Sequence, residues 1–140
     1  MKPLQIALIA GTRPEVIKML PVYLELKKRP GILPKMILTG QHRELAHDVL
    51  RIFNIVPDLD MEVMQEGQTL LTLFSRISSA LANYMTNDRP DIVLAQGDTT
   101  SAMMAGMFAF YAGYQLGILK QDCVPVICSH HFLKNLIAVC

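Results

Sequence analysis

The sequence lacks an excess of charge of one sign: 13 lysines and arginines face 12 aspartates and glutamates, which gives a formal net charge of +1. A protein that binds nucleic acid through a broad basic face needs more positive charge. No hydrophobic run is long enough to cross a bilayer. We do not expect the N-terminus to be a signal peptide, because its apolar run is only about six residues long and no small-residue cleavage site follows. We therefore expect a cytoplasmic protein with no nucleic-acid or membrane partner.

Cysteine is scarce and confined to the C-terminal segment, at Cys123, Cys128 and Cys140. An odd number of cysteines in such a cluster fits no disulfide framework of a secreted protein. His130 and His131 add residue types that bind zinc, but the spacing lacks the paired motifs that define a zinc site. We expect no metal site.

What the sequence does contain is hydrophobic residues, at 51% of 140 positions, in segments that alternate between strand and helix patterns. Strands are predicted at Gln5–Ala10, Lys35–Leu38, Asp58–Val63 and Asp91–Ala95. A first helix, from Pro14 to about Lys28, should be kinked at Pro21. The faces predicted for the other helices are Leu45, Ala46, Val49, Leu50 and Phe53; then Leu70, Leu73, Phe74, Ile77, Leu81 and Tyr84; then Met103, Met104, Met107, Phe108 and Tyr111. This alternation predicts one α/β domain with a parallel sheet and right-handed crossovers.

Polar turns follow three of the predicted strands, and they should lie along one edge of the sheet, where open α/β domains bind ligands. The turns are Gly11-Thr12-Arg13-Pro14-Glu15, Thr39-Gly40-Gln41-His42-Arg43 and Gln96-Gly97-Asp98-Thr99-Thr100.

The first turn combines Arg13 and Lys18 with backbone N–H groups near Gly11 and Thr12, which suits an anionic ligand. It matches neither the dinucleotide fingerprint nor the P-loop. The alternative is a plain strand-to-helix turn whose arginine faces water, and spacing alone favours water for Lys18 as well.

The other two turns carry side chains that suit a sugar or a base. Gln41 and His42 can hydrogen-bond such a ligand, although His42 as a helix cap or surface residue is the commoner case. Asp98 can bind a sugar hydroxyl or act as a base, or it can serve as an ordinary helix N-cap. The residues alone indicate a protein that binds a phosphorylated small molecule.

The pairing of Gly11-Thr12-Arg13-Pro14-Glu15 with Gln96-Gly97-Asp98-Thr99-Thr100 resembles the non-hydrolysing UDP-N-acetylglucosamine 2-epimerases, from the N-terminus to about Tyr111. The resemblance implies an incomplete Rossmann-like N-terminal domain of a GT-B-type two-domain enzyme. It implies interconversion of UDP-N-acetylglucosamine and UDP-N-acetylmannosamine by elimination and re-addition of UDP, in the cytoplasm and without metal or cofactor. Arg13 and Lys18 would bind the nucleotide-sugar, Asp98 would be a catalytic acid, and Gln41 and His42 would contact substrate.

The sequence departs from this family after residue 113. We expect a partial Rossmann-like domain over 1–113, a divergent tail over 114–140 and no second domain. The family has a strand and then an essential glutamate here. That position falls near Lys120 without a gap, or near His130 if Val124–Val126 is a strand displaced by an insertion. Neither residue is a carboxylate.

Two functions therefore stand side by side. The chain is a truncated N-terminal fragment of an epimerase, inactive alone, or it is a non-catalytic nucleotide-sugar-binding or regulatory module. The protein partners considered are a second copy of the chain, in a homodimer, and a full-length subunit with which the regulatory module would pair. The N-terminal half of a GT-B glycosyltransferase is disfavoured, because it does not share the paired motifs.

Overall fold

The computed structural model describes residues 2–119, which form a five-stranded parallel sheet in the order β3-β2-β1-β4-β5. Helices cover both faces of the sheet. In chain order the elements are β1 (Leu4–Ala10), α1 (Arg13–Lys27), β2 (Ile32–Leu38), α2 (Arg43–Ile52), β3 (Leu59–Asp60), α3 (Leu70–Asp88), β4 (Ile92–Gln96), α4 (Thr100–Ala112) and β5 (Gln115–Leu119).

The central strand β1 separates two hydrophobic cores. Ile6 and Leu8 pack with α1 and α2. Ala7 and Ile9 point to the other face and pack with α3 and α4. Successive side chains of a strand point to opposite faces, so a strand covered on both sides has a continuous apolar sequence. The predicted first strand and parallel sheet are confirmed.

Helix α1 runs without a break from Arg13 to Lys27, although Pro21 lies inside it. The sequence predicted an interruption there. Pro21 is exposed, so its ring lies on the outer side of the helix and leaves the packed face intact. The buried face of α1 includes Val16, Met19 and Leu26.

The predicted helix faces are only partly correct. In α2, Ala46, Val49 and Leu50 are buried, but Leu45 and Phe53 are about half exposed. In α3 the predicted face buries Leu73, Ile77, Leu81 and Tyr84, whereas Leu70 and Phe74 are exposed. In α4 the predicted face is wrong at Met103, Met107 and Tyr111, which are exposed, while Met104 is buried. A helix that is apolar all round gives no periodic signal to select its inner face.

The third strand is shorter than predicted, with only two residues. The Asp58 carboxylate takes the place of a strand contact, because it accepts the Met36 N–H at 2.7 Å. Beyond α4, the Gly113 backbone adopts a left-handed conformation (φ +75°) and ends the helix. Strand β5 follows directly and pairs with β4.

The two positions considered for the family glutamate, Lys120 and His130, lie outside the described residues, as does the alternative strand Val124–Val126. So do the three cysteines and His131. Within residues 2–119, no helix is both long and apolar enough to cross a membrane.

Candidate functional site

The three polar turns meet at the carboxyl edge of the sheet, because β1 lies between β2 and β4 and runs parallel to both. Backbone hydrogen bonds join the first two turns. The Thr39 N–H donates to the Ala10 carbonyl at 3.0 Å, and the His42 N–H donates to the Gly11 carbonyl at 2.8 Å. The predicted arrangement of the turns along one edge is confirmed.

Gly11 allows the first turn to pack against α4. A Cβ atom at this position would lie 2.1 Å from Ser101 Oγ and 2.6 Å from Thr39 Oγ1. Both distances are far below van der Waals contact, so a larger residue would push the turn away from α4. Here the glycine is needed for close approach rather than for an unusual backbone angle.

A buried chain of side-chain hydrogen bonds joins the second turn to α4. The Ser101 hydroxyl, which is fully buried, lies 2.9 Å from Thr39 Oγ1 and donates to Gln41 Oε1 at 3.0 Å. The Gln41 carbonyl is therefore occupied. Its amide nitrogen has no partner within residues 2–119.

Glu15 is a site residue that the sequence reasoning missed. Its carboxylate is buried and accepts the Gly11 N–H at 2.6 Å and the Thr12 N–H at 2.9 Å. It also accepts the Thr99 hydroxyl. The prediction that the Gly11 and Thr12 amides bind the ligand is thus wrong, because Glu15 occupies both. The Thr12-x-x-Glu15 spacing of a capping box was the available signal.

Arg13 and Lys18, the two predicted cations, lie on different sides of α1. They are five residues apart, which is about 140° around a helix of 3.6 residues per turn. Arg13 is exposed at the first helical position and has no side-chain partner among the described residues. Lys18 is half-buried. Arg13 therefore stands at the turn itself, and Lys18 lies more than one helical turn further along α1.

Asp98 and His42 are both exposed at this edge. The alternative interpretation, in which Asp98 is the N-cap of α4, is wrong. That position belongs to Thr99, whose hydroxyl accepts the Ala102 N–H at 3.2 Å. His42 stands at the N-cap position of α2, but its side chain makes no capping bond. Both side chains therefore face outward from the edge.

Two cavities of about 390 and 530 Å³ lie away from the edge, between β3 and α3 and between the C-terminal halves of α3 and α4. A third, of about 300 Å³, lies beside α2 and is lined in part by Arg43 of the second turn. Within residues 2–119, no group of three or more histidine, cysteine, aspartate or glutamate side chains could hold a metal ion. The three turns form one wall that faces solvent.

Comparison with known families agrees with this architecture. Residues 24–117 match the family model described as UDP-N-acetylglucosamine 2-epimerase. The chain belongs to this epimerase family. The resemblance inferred from the paired motifs is confirmed, and the match continues beyond Tyr111 into β5.

Individual epimerases are similar to the chain over most of its length. UDP-N-acetylglucosamine 2-epimerase of Bacillus subtilis is 43% identical over 117 residues, and that of Escherichia coli K12 is 40% identical over 114. These alignments cover 84% and 81% of the chain but only 31% and 30% of the relatives. The chain thus spans about a third of their length.

A solved epimerase structure supports the fold. The Neisseria meningitidis UDP-GlcNAc 2-epimerase bound to UDP-GlcNAc superposes with a TM-score of 0.75 at 40% identity, and the match covers 82% of this chain and 32% of that one. The predicted Rossmann-like domain of a GT-B-type enzyme is confirmed. The roles of Arg13, Lys18, Gln41, His42 and Asp98 remain predictions.

Proposed function

We propose that the chain is the N-terminal part of a UDP-N-acetylglucosamine 2-epimerase and forms one wall of its nucleotide-sugar cleft. The observation that carries this proposal is the joining of three polar turns at one sheet edge, with Arg13 and Asp98 exposed on it. Ligands of open parallel sheets bind at this edge. The UDP-GlcNAc named for the Neisseria relative supports the choice of ligand.

In the proposed reaction, a base removes the proton at C2 of the sugar while the bond between C1 and the UDP oxygen breaks. The resulting acetamidoglucal then adds UDP again at C1 and a proton at C2 on the opposite face. Asp98 is the carboxyl group proposed for proton transfer. Arg13 and Lys18 would neutralise the diphosphate, while Gln41 and His42 would contact the nucleotide-sugar. The reaction as proposed uses no metal or redox cofactor.

The 140-residue polypeptide should not catalyse this reaction by itself. Elimination requires groups held on both sides of the sugar ring, and the described edge is a single wall. A coupled assay, together with measurement of proton exchange at C2 in deuterated water, tests this expectation. Epimerisation by the purified polypeptide would contradict it.

Binding can be tested separately from turnover. Titration of the ¹⁵N-labelled chain with UDP should shift the amide signals of Arg13, Gln41 and Asp98. An Arg13→Ala variant should weaken binding about tenfold, because an arginine–phosphate contact is charge-assisted. The matched control is Arg51→Ala, which removes an exposed arginine that pairs with Asp48 on α2. Equal affinities of the two variants would contradict the proposed site.

We further propose that the chain associates through α4, as a homodimer or with a full-length subunit, in the cytoplasm. The support is an exposed apolar stripe at Met103, Met107, Phe110 and Tyr111 on a helix that contains no charged residue. Such stripes are typical of interaction surfaces. Sedimentation velocity over a range of concentrations should show self-association, and a monomer at every concentration would contradict the homodimer.

A further inference from the structure

Glu15 is a buried carboxylate that the proposed reaction does not use. Its side chain is 2% exposed. Its charge is stabilised by two backbone N–H groups at the start of α1 and by one hydroxyl. Such charge-assisted bonds at a helix N-terminus suit an anion. Glu15 therefore occupies the place where a ligand phosphate would otherwise bind.

The hydroxyl partner is Thr99, which begins α4. Its single proton is donated to Glu15 Oε1, so its lone pairs remain for the Ala102 N–H at 3.2 Å. The Thr99 hydroxyl makes both bonds, so donation to Glu15 orients its lone pairs toward the Ala102 N–H. The Glu15 carboxylate thus connects the N-terminus of α1 to the N-terminus of α4, across 84 residues of sequence.

The proposed ligand contacts stand next to the two ends of this connection. Arg13 precedes Glu15 by two residues, and Asp98 directly precedes Thr99. Between β4 and Asp98, Gly97 adopts φ +85°, and a Cβ atom placed there would lie 3.9 Å from Glu15 Oε1. The backbone around Asp98 therefore runs beside the Glu15 carboxylate.

We propose that Glu15 is the positioning residue of the site. As an internal anion it holds the Asp98 turn against the Arg13 turn, and it leaves the ligand phosphate to side chains, Arg13 first, instead of the Gly11 and Thr12 amides. The assignment rests on the proposed function for the identity of the ligand. The connection itself can be tested without one.

The test is a Glu15→Ala variant of the full chain, which leaves an acetate-sized gap beside three donors. Amide signals of residues 97–100 should shift, and UDP binding should weaken tenfold or more, because catalytic and binding sites respond strongly to small displacements. Added sodium acetate should return the signals and the affinity toward wild type. Sodium chloride at equal ionic strength should not.

The matched control is Asp91→Asn. Asp91 also accepts a backbone N–H, that of Gln5 at 2.8 Å, but at the opposite edge of the sheet. It should leave residues 97–100 and UDP affinity unchanged. A folded Glu15→Ala chain with unshifted 97–100 signals, or with wild-type UDP affinity, would overturn the proposal.

A second pair of variants decides the question if Glu15→Ala does not fold. Thr99→Val removes the hydroxyl and leaves the Glu15 contacts to Gly11 and Thr12 in place. Thr69→Val removes the equivalent N-cap of α3, which accepts the Thr72 N–H at the same 3.2 Å but has no carboxylate partner. Thr99→Val should shift the Gly11, Thr12 and Asp98 signals, and Thr69→Val should not. No shift at Gly11 and Thr12 in Thr99→Val would overturn the proposal.

Failure of the proposed function gives a different result. If wild-type chain shows no UDP-induced shifts, the ligand assignment fails. The acetate-dependent return of the 97–100 signals in Glu15→Ala still supports the positioning role, and its absence still overturns it.

Discussion

The two helical layers of the domain bury similar faces but present different outer surfaces. In the first layer, α1 and α2 cover one side of the sheet and carry several charged residues each. In the second layer, α3 covers the other side together with α4, which has no aspartate, glutamate, lysine or arginine. Phe110 and Tyr111 on α4 are 77% and 80% exposed.

This difference shows that α4 contains more apolar surface than the sheet can bury. Its inner face, with Met104, Ala105 and Ala109, is packed in the second core. A soluble surface helix normally carries polar residues on its outer side, and a helix that is apolar all round is normally buried. The apolar outer side of α4 is therefore suited to packing against another protein surface, whereas the outer side of α1 carries charged residues and is suited to solvent.

The largest expected effect tests the similarity of the inner faces. Leu26→Ala in α1 and Ile77→Ala in α3 remove side chains that are 1% and 0% exposed. Each should lower the free energy of unfolding by about 2–5 kcal/mol, measured by urea denaturation. Leu71→Ala is the control, because Leu71 is 83% exposed; it should stay within about 0.5 kcal/mol. A small loss in only one layer would break the comparison.

The next effect concerns Pro21, which lies inside α1 in the first layer and has no N–H to donate. Pro21→Ala should raise the free energy of unfolding by about 1–3 kcal/mol, because it restores an N–H donor inside α1. Pro30 lies in the turn beyond α1. Pro30→Ala should instead lower stability by about 0.4–1 kcal/mol through the entropy of the unfolded chain. Equal signs in urea titrations of the two variants would disprove this account.

A pH-dependent effect is specific to the second layer. Burial is the largest cause that raises the pKa of the Tyr84 phenol, and the negative charge of Asp88 is the next. The Gln5 side chain lowers this pKa by a smaller amount. The hydroxyl has no hydrogen-bond partner among the described residues. The pKa of the phenol in the folded state is above its unfolded value of about 10. Its contribution to the free energy of unfolding is therefore fully present below pH 10 and is lost as the pH rises above 10.

Tyr84→Phe removes this titration. Relative to the wild-type chain, the variant should gain about 1 kcal/mol between pH 9 and pH 11 in urea unfolding curves. A pH-independent difference between wild type and Tyr84→Phe would contradict the raised pKa.

The smallest effect on stability tests the outer faces. Phe110→Glu should change the free energy of unfolding by no more than about 0.5 kcal/mol. It should weaken self-association at least tenfold in sedimentation velocity, because a charge would enter the apolar stripe. Phe53→Glu, at the residue that follows α2, is the matched control in the first layer, where Phe53 is 51% exposed. Equal effects of the two variants on association would remove the distinction between the layers.

The sequence was a good guide where a pattern has one physical cause. The apolar run of β1 and the strand-end turns identified the sheet and its ligand edge, because both faces of the strand are covered. It was a poor guide to α4, where no periodicity distinguishes the two sides. Strand β5 was not predicted, since Gln115–Leu119 alternates weakly and contains a glycine.

At the candidate site, residue types were easier to predict than their partners. Arg13 and Asp98 are exposed at the edge, as a ligand role requires. Glu15 accepts the Gly11 and Thr12 amides through local contacts, but its third bond, from the Thr99 hydroxyl, joins residues that are 84 apart in sequence. The capping-box spacing predicts the local bonds of Glu15 at the start of α1, but no local pattern predicts its bond to Thr99.

The central position of β1 also constrains how the chain folds during synthesis. Gln5 meets its partner Asp91 only after another 86 residues have been made. At roughly 5–20 residues per second, the ribosome needs about 4–17 s for that length. Throughout this interval one side of β1 has no neighbouring strand. The nascent apolar segment is then a natural target for chaperones, and slower translation upstream of β4 should increase aggregation.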